Sequence, residues 1–201
     1  MSVKLFGVSY GSPIVLAPVS SQRAFHPEGE LAVAKAAGAK KHLQILSTLS
    51  STAVEAVNAA RGEPVWFQLD PTNDWAVTKA VVARAEAAGC PVLVLTVDSY
   101  GGSNRVTQGR LTRRDDRTCQ ACHTITPSSG RHFITRPIFS GIDMTRVVRT
   151  TPNDWSWAFV SRLRDLTRMK IVVKGLVTRE DAELARARRG RHHRVEPWWA
   201  R

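Results

Sequence analysis

The chain has 201 residues, 43% hydrophobic and 23% charged, enough for one sizeable core and ordinary for a globular protein. No apolar run approaches the roughly 20 residues that span a bilayer, the N-terminus does not have the form of a signal peptide, and three cysteines, an odd number, argue against a disulfide scaffold and fit a reducing cytoplasm. The net charge of +12 suggests a polyanion partner, but five of those charges lie in residues 186–201 and most of the rest between Arg105 and Arg149, without the basic–aromatic interleaving of a single-strand platform. The expectation is therefore neither membrane nor nucleic acid, with a basic polyanion-binding or nucleic-acid-binding protein as the alternative.

In chain order, Ser12 to Pro18 is a short apolar run between prolines, as in a buried strand. Gly29 to Ala37 is alanine-rich and helical, and Leu43 to Leu46 is a second apolar run. Thr52 to Ala60 predicts a helix with Thr52 and Glu55 in capping-box spacing. Pro64 to Leu69 is a third strand; Asp74 to Ala88 is a helix closed by Gly89. Pro91 to Val97 is a continuous apolar strand of the parallel-sheet kind. Residues 99–153 form a long Gly-, Arg- and Thr-rich insertion, after which Asn153 or Asp154 is expected to cap a helix over WSWAFVSRLRDLT. Ile171 to Lys174 is a fifth strand, and Thr178 to Ala185 opens a fifth helix.

Strands alternating with helices indicate parallel βαβ units. Without a Gly-rich nucleotide fingerprint, the α/β class resolves to a partial (β/α)8 TIM barrel, about its first five strands, with a long insertion after the fourth. Working residues of such barrels stand at the C-terminal ends of strands. Here those ends are Ala17-Pro18-Val19-Ser20, Ser47-Thr48, Gln68, Thr96-Val97-Asp98 and Lys174-Gly175, four of the five being polar or charged groups that directly follow an apolar strand.

At these residues the chain resembles the FMN-dependent α-hydroxy-acid dehydrogenase and oxidase family, which includes glycolate oxidase, lactate oxidase and lactate monooxygenase. The matching pieces run in family order: Ala17-Pro18, His26-Pro27-Glu28-Gly29-Glu30, Leu46-Ser47-Thr48, Phe67-Gln68-Leu69, Thr96-Val97-Asp98 with Arg105, then Lys174-Gly175 and Arg179-Glu180-Asp181-Ala182. The resemblance implies that the backbone of Pro18, Val19 and Ser20 lies against a flavin ring and that Ser47, Gln68 and Thr96 hydrogen-bond FMN. It implies that the Lys174 ammonium stabilises negative charge on reduced flavin, that Arg105 clamps the substrate carboxylate, and that Asp98 orients a catalytic His. It further implies a small, L-lactate-like 2-hydroxy acid as substrate and a homo-oligomeric parent.

Two features depart from the family. Where it has Gln-Leu-Tyr, with the Tyr touching substrate, this chain has Asp70, a carboxylate facing an anionic substrate; and family members carry a further N-terminal stretch with another substrate Tyr. The tail is odder still. Residues 1–185 fit an incomplete FMN-binding barrel, but residues 186–201, RARRGRHHRVEPWWAR, resemble nothing upstream. After the fifth helix the family continues with a strand ending Ser-Asn-His-Gly-Gly-Arg, holding the catalytic His and a carboxylate-binding Arg. Regrouping each tail codon by one base turns the TGG codons of Trp198 and Trp199 into Gly-Gly, and allows His at Pro197 and Ile-Ile at His192 and His193. The recovered string is Glu-His-Gly-Ala-Asp-Gly-Ile-Ile-Val-Ser-Asn-His-Gly-Gly-Arg. A frameshift near Ala185 and a catalytically inactive fragment are therefore expected.

Other residues carry plainer alternatives. Cys119-Gln120-Ala121-Cys122-His123 matches a haem-attachment pattern, which needs export, or part of a zinc site, for which only His132 stands near; a reduced loop is the expectation, with no metal. His26 is expected to be a turn residue, and His192-His193 to have no selected role. On residue type alone Lys174 and Asp98 could be a solvated cation and a turn residue, and Ser47 and Gln68 loop polar groups. Val77, Val81 and Val82 are expected in the core.

Overall fold

The computed structural model describes residues 2–98, 106–114, 132–152, 154–187 and 195–197. Its centre is a parallel sheet of β3 (Val15–Leu16), β4 (Leu43–Ser47), β5 (Trp66–Leu69), β6 (Val92–Thr96), β7 (Lys170–Lys174) and β8 (Val195–Pro197), in that spatial order. An antiparallel hairpin, β1 (Val3–Leu5) and β2 (Val8–Tyr10), precedes it. The helices between strands are α1 (Glu30–Lys40), α2 (Val54–Arg61), α3 (Trp75–Ala87), α4 (Val106–Thr112), α5 (Trp157–Leu166) and α6 (Arg179–Ala187). Sequential order across six parallel strands, each crossover carrying a helix, is the order of an opening (β/α) barrel.

Strand residues alternate between two buried faces. Leu46, Phe67, Leu69, Leu93, Leu95 and Ile171 pack beneath the helices against Val57, Val77, Val81, Val82, Phe159 and Leu163. The opposite, inner face holds Leu43, Ile45, Trp66, Val92, Val94 and Val172, on which Leu5, Phe6 and Tyr10 of the hairpin pack. Trp66 meets the Phe6 ring at 5.5 Å and the Tyr10 ring edge-on at 6.5 Å, so the hairpin closes the inner face at its N-terminal end. Each fully buried Leu, Ile or Phe contributes about 1.5–3 kcal/mol relative to exposure.

All five expected strands are present, and Val77, Val81 and Val82 are buried. Gly89 closes α3 with φ +83°, and the Asp74 carboxylate accepts the Ala76 N–H at 2.8 Å as N-cap. His26 is a turn residue whose Nδ1 accepts the Glu28 N–H at 3.2 Å.

Four local expectations change. The capping box at Thr52 and Glu55 does not form: Ala53 is the N-cap of α2, the Thr52 hydroxyl donates instead to Glu30, and Glu55 pairs with Arg84. Ser156, not Asp154, caps α5 by accepting the Phe159 N–H at 3.3 Å, while Asp154 pairs with Arg162 at 2.7 Å; Asn153 lies outside the described residues. The hairpin was not anticipated, because its turn places Phe6 (φ 49°) and Gly7 (φ 90°) in positive φ where Asn-Gly is the usual signal. Finally, the tail adds a sixth strand: Val195–Pro197 pairs parallel with β7, since an open edge of N–H and C=O groups accepts an extended segment whatever its side chains.

Among the described residues no helix is long and apolar enough to cross a membrane, and no three His, Cys, Asp or Glu side chains gather as a metal site. The CxxCH segment and the His192-His193 pair lie outside the described residues.

Candidate flavin site

Ser47, Gln68, Thr96 and Lys174 share the inner-face parity of Ile45, Trp66, Val94 and Val172, so all four stand on one face at the C-terminal end of the sheet. Strand register brings them together. Ser47 lies beside Gln68, and Thr96 beside Lys174. The Gln68 carboxamide donates to the Thr96 hydroxyl at 2.9 Å, with both side chains buried. The Ser47 hydroxyl accepts the Leu49 N–H at 3.1 Å, which turns the chain sharply after β4. Lys174 donates to the Asp98 carboxylate at 3.4 Å, the Asp98 side chain being about half exposed.

Gly175 explains how Asp98 comes so close. Its φ is +106°, and a Cβ there would lie 2.7 Å from Asp98 Cβ and 2.9 Å from the Asp98 nitrogen. Glycine alone lets the turns after β6 and β7 touch, and the Val97 N–H bonds the Lys174 carbonyl at 2.9 Å beside that contact.

Asp70 continues the same face beyond Gln68. Burial pushes its carboxyl above the ordinary value, opposed by a hydrogen bond from Gln68 and by the Lys174 charge and reinforced by the charge of Asp98. Among the described residues, the C-terminal end of this face thus holds one ammonium and two carboxyl groups.

Pro18, Val19 and Ser20 follow β3; Pro18 is half-buried, while Val19 and Ser20 are exposed. Arg105 lies outside the described residues. An apolar pocket lined by Trp155, Trp157, Val160, Val173 and Leu176 sits on the helix side of the sheet and borders this site only at Val97 and Gly175.

Three residues have supporting roles that the sequence did not assign, although Thr48 and Glu30 stand in its matching motifs. Thr48 is fully buried; its hydroxyl donates to the Gln68 carbonyl at 2.6 Å and accepts the Asp70 N–H at 2.9 Å, stitching β4 to the end of β5. Glu30 is fully buried and accepts from Gln22, Ser51 and Thr52, joining the β3–α1 loop to the β4–α2 loop. Arg136, from the insertion, reaches Ser21. A polar residue directly after an apolar strand was the available signal for Thr48; Glu30 and Arg136 act across 21 and 115 positions and leave no local trace.

The chain matches the FMN-dependent dehydrogenase family over residues 1–189. It belongs to that family. It is 32% identical over 197 residues to glycolate oxidase of Spinacia oleracea, covering 92% of this chain and 49% of the spinach enzyme. It is 29% identical over 199 residues to glycolate oxidase 2 of Oryza sativa subsp. indica, with 92% and 50% covered. Among solved structures, mandelate oxidase superposes with a TM-score of 0.72 at 32% identity, over 92% of this chain and 49% of that one. The chain thus spans about half the length of the relatives it matches. The family and its glycolate-oxidase members are FMN-dependent, and the donor set found here fits that cofactor: a carboxamide, two hydroxyls and an ammonium crowning one apolar face suit the polar edge of a flat aromatic ring system.

Proposed function

We propose that the inner-face residues are the flavin-holding part of a 2-hydroxy-acid oxidase site, whose parent protein oxidises an L-lactate-like 2-hydroxy acid to the 2-oxo acid. Bound FMN would supply the hydride-acceptor chemistry for oxidation at the substrate α-carbon. Gln68, Thr96 and Ser47 hold the ring's polar edge, with Pro18, Val19 and Ser20 along its face. Lys174 places a positive charge where negative charge develops. Arg105 clamps the substrate carboxylate, and Asp98 orients the catalytic His. The observation that carries this reading is the buried Gln68–Thr96 hydrogen bond beside Lys174, at the C-terminal end of a face whose deeper part is Ile45, Trp66, Val94 and Val172.

The polypeptide as it stands is inactive in this proposal. Its tail reads Val195-Glu196-Pro197-Trp198-Trp199 where the family's Ser-Asn-His-Gly-Gly would fall, so the tail offers Asp98 no His to orient; a frameshift near Ala185 is the cause. The protein acts in the cytoplasm, and its intact form is a homo-oligomer.

Three measurements test this. Titrating the chain into FMN should quench the flavin fluorescence, and Gln68→Ala or Lys174→Met should weaken the binding; a parent chain that leaves FMN fluorescence unchanged overturns the site assignment. Flavin-dependent turnover of lactate, glycolate or mandelate by the purified chain overturns the inactivity. A coding DNA whose shifted frame does not spell the recovered string overturns the frameshift.

A further inference from the structure

The loop between β3 and α1 contains a non-glycine residue held in positive φ, Ser21. Ser21 has φ 56° and ψ 38°, the left-handed conformation that a residue with a Cβ rarely adopts. It directly follows Pro18-Val19-Ser20. Two bonds from distant elements fix it: its N–H donates to the Leu49 carbonyl at 3.1 Å, and its hydroxyl accepts from Arg136 Nη2 at 2.6 Å.

Arg136 is itself firmly held. It is 4% exposed and sits between two 3-10 turns, His132–Thr135 and Pro137–Phe139, anchored by buried Phe133, Ile138 and Phe139. From α3, Arg84 donates to the carbonyls of Pro137 and Ile138 and ties this piece of the insertion to the barrel. A guanidinium stays charged at every working pH, and its planar donors are directional. The hydroxyl of Ser21 therefore receives a charge-assisted bond from a buried, charged group.

We propose that Arg136 is a positioning residue: it holds Ser21 left-handed and thereby sets the path of Pro18, Val19 and Ser20 into the flavin site. This gives part of the insertion a task in cofactor binding, and it rests on the assignment of those three residues to the flavin face. Ser21→Ala removes the acceptor but keeps the Cβ that disfavours the left-handed state. Ser21→Gly removes the acceptor and the Cβ penalty together.

The test uses the full chain in six forms: the parent, R136M, S21A, S21G, R136M/S21A and R136M/S21G. FMN affinity is read by fluorescence quenching, and opening of the loop by hydrogen exchange of the Ser21 amide in the apo protein. R136M and S21A should each weaken FMN by about tenfold, and the R136M/S21A double by no more than either single. S21G should bind within about threefold of the parent and should restore R136M to the same level. The Ser21 amide should exchange about tenfold faster in R136M and S21A, but not in either glycine form. S21A binding like the parent, a double that falls a hundredfold, or S21G behaving like S21A would each overturn the proposal. If the parent itself leaves FMN unquenched, the flavin assignment fails, and with it the task given to Arg136. The exchange pattern then still decides whether Arg136 holds Ser21, and unchanged rates in R136M and S21A refute that as well.

Discussion

Replacing Glu30 with Ala should be among the most damaging single changes in this chain. The side chain is fully buried, and four donors converge on its two oxygens: the N–H groups of Ser51 at 2.8 Å and Gln22 at 3.3 Å, and the hydroxyls of Ser51 at 2.9 Å and Thr52 at 2.8 Å. The two hydroxyls can rotate toward other acceptors; the two amides cannot. An orphaned buried amide costs about 1–3 kcal/mol, and a hydrogen bond to a charged group contributes about 1.5–3 kcal/mol. Allowing for partial hydration of the loops, E30A should lose about 3–5 kcal/mol. With a urea m-value of about 2 kcal/mol/M, the unfolding midpoint falls by about 1.5–2.5 M. E30Q keeps the shape. Its amide nitrogen can take the Oε2 position, where both neighbours are hydroxyls able to turn and accept, so it should lose only about 1–2 kcal/mol. An E30A midpoint equal to that of E30Q, or within 0.5 M of the parent (about 1 kcal/mol), would refute the claim that this carboxylate joins the two loops.

Gly175→Ala should destabilise by about 2–5 kcal/mol, the sum of a positive φ and a Cβ placed 2.7 Å from Asp98; a urea midpoint unchanged from the parent would show that the two turns separate freely. Asp70 binds its proton more tightly folded than unfolded, so across the window between its ordinary and its raised value the native state holds more protons, and stability falls as pH rises through that window. D70N should therefore raise the urea midpoint at pH 7, with the gain shrinking as pH is lowered to 4; a gain independent of pH contradicts the buried-carboxyl account. Burial pushes the Cys90 thiol up to about 12, so in a C119S/C122S background it should react with a disulfide reagent at pH 8 only on unfolding, and a fast native reaction would place it at the surface.

Strand existence and strand face were legible because both rest on period-two burial, which is written locally. Ser47, Thr96 and Lys174 each end an apolar strand and Gln68 stands one residue before the end of another, and the register then places all four on one face. Caps were legible only where they are sequence-adjacent. Gly89 closes its own helix, whereas Thr52 is drawn away by a buried carboxylate 22 residues earlier that offers a stronger, charged acceptor. The hydroxyl of Thr48, the carboxylate of Glu30 and the guanidinium of Arg136 support the site through contacts made only once the chain has closed on itself. A single sequence does not encode those pairings in any window.

The sixth strand bears on what the proposed shift of reading frame would keep and what it would lose. Parallel pairing needs only backbone donors and acceptors, and β8 finds them on β7, with Ile171 beside Val195, Val172 beside Glu196 and Val173 beside Pro197. Proline donates nothing to a ladder, yet it is tolerated there because β8 is an edge strand, at Pro197 its last residue. The same register fixes where the regrouped codons would put the family's histidine. It would stand at position 197, beside Val173 and one step from Lys174, whose ammonium already touches Asp98 at 3.4 Å. Restoring the frame should therefore deliver a base to the carboxylate proposed to orient it, without altering the path of the strand. In the restored protein D98N should cut kcat far more than it weakens FMN binding, whereas in the present chain the same change should leave turnover at zero and FMN affinity within about threefold. Equal losses of kcat and of FMN binding in the restored protein would mean that Asp98 serves the cofactor and not the base.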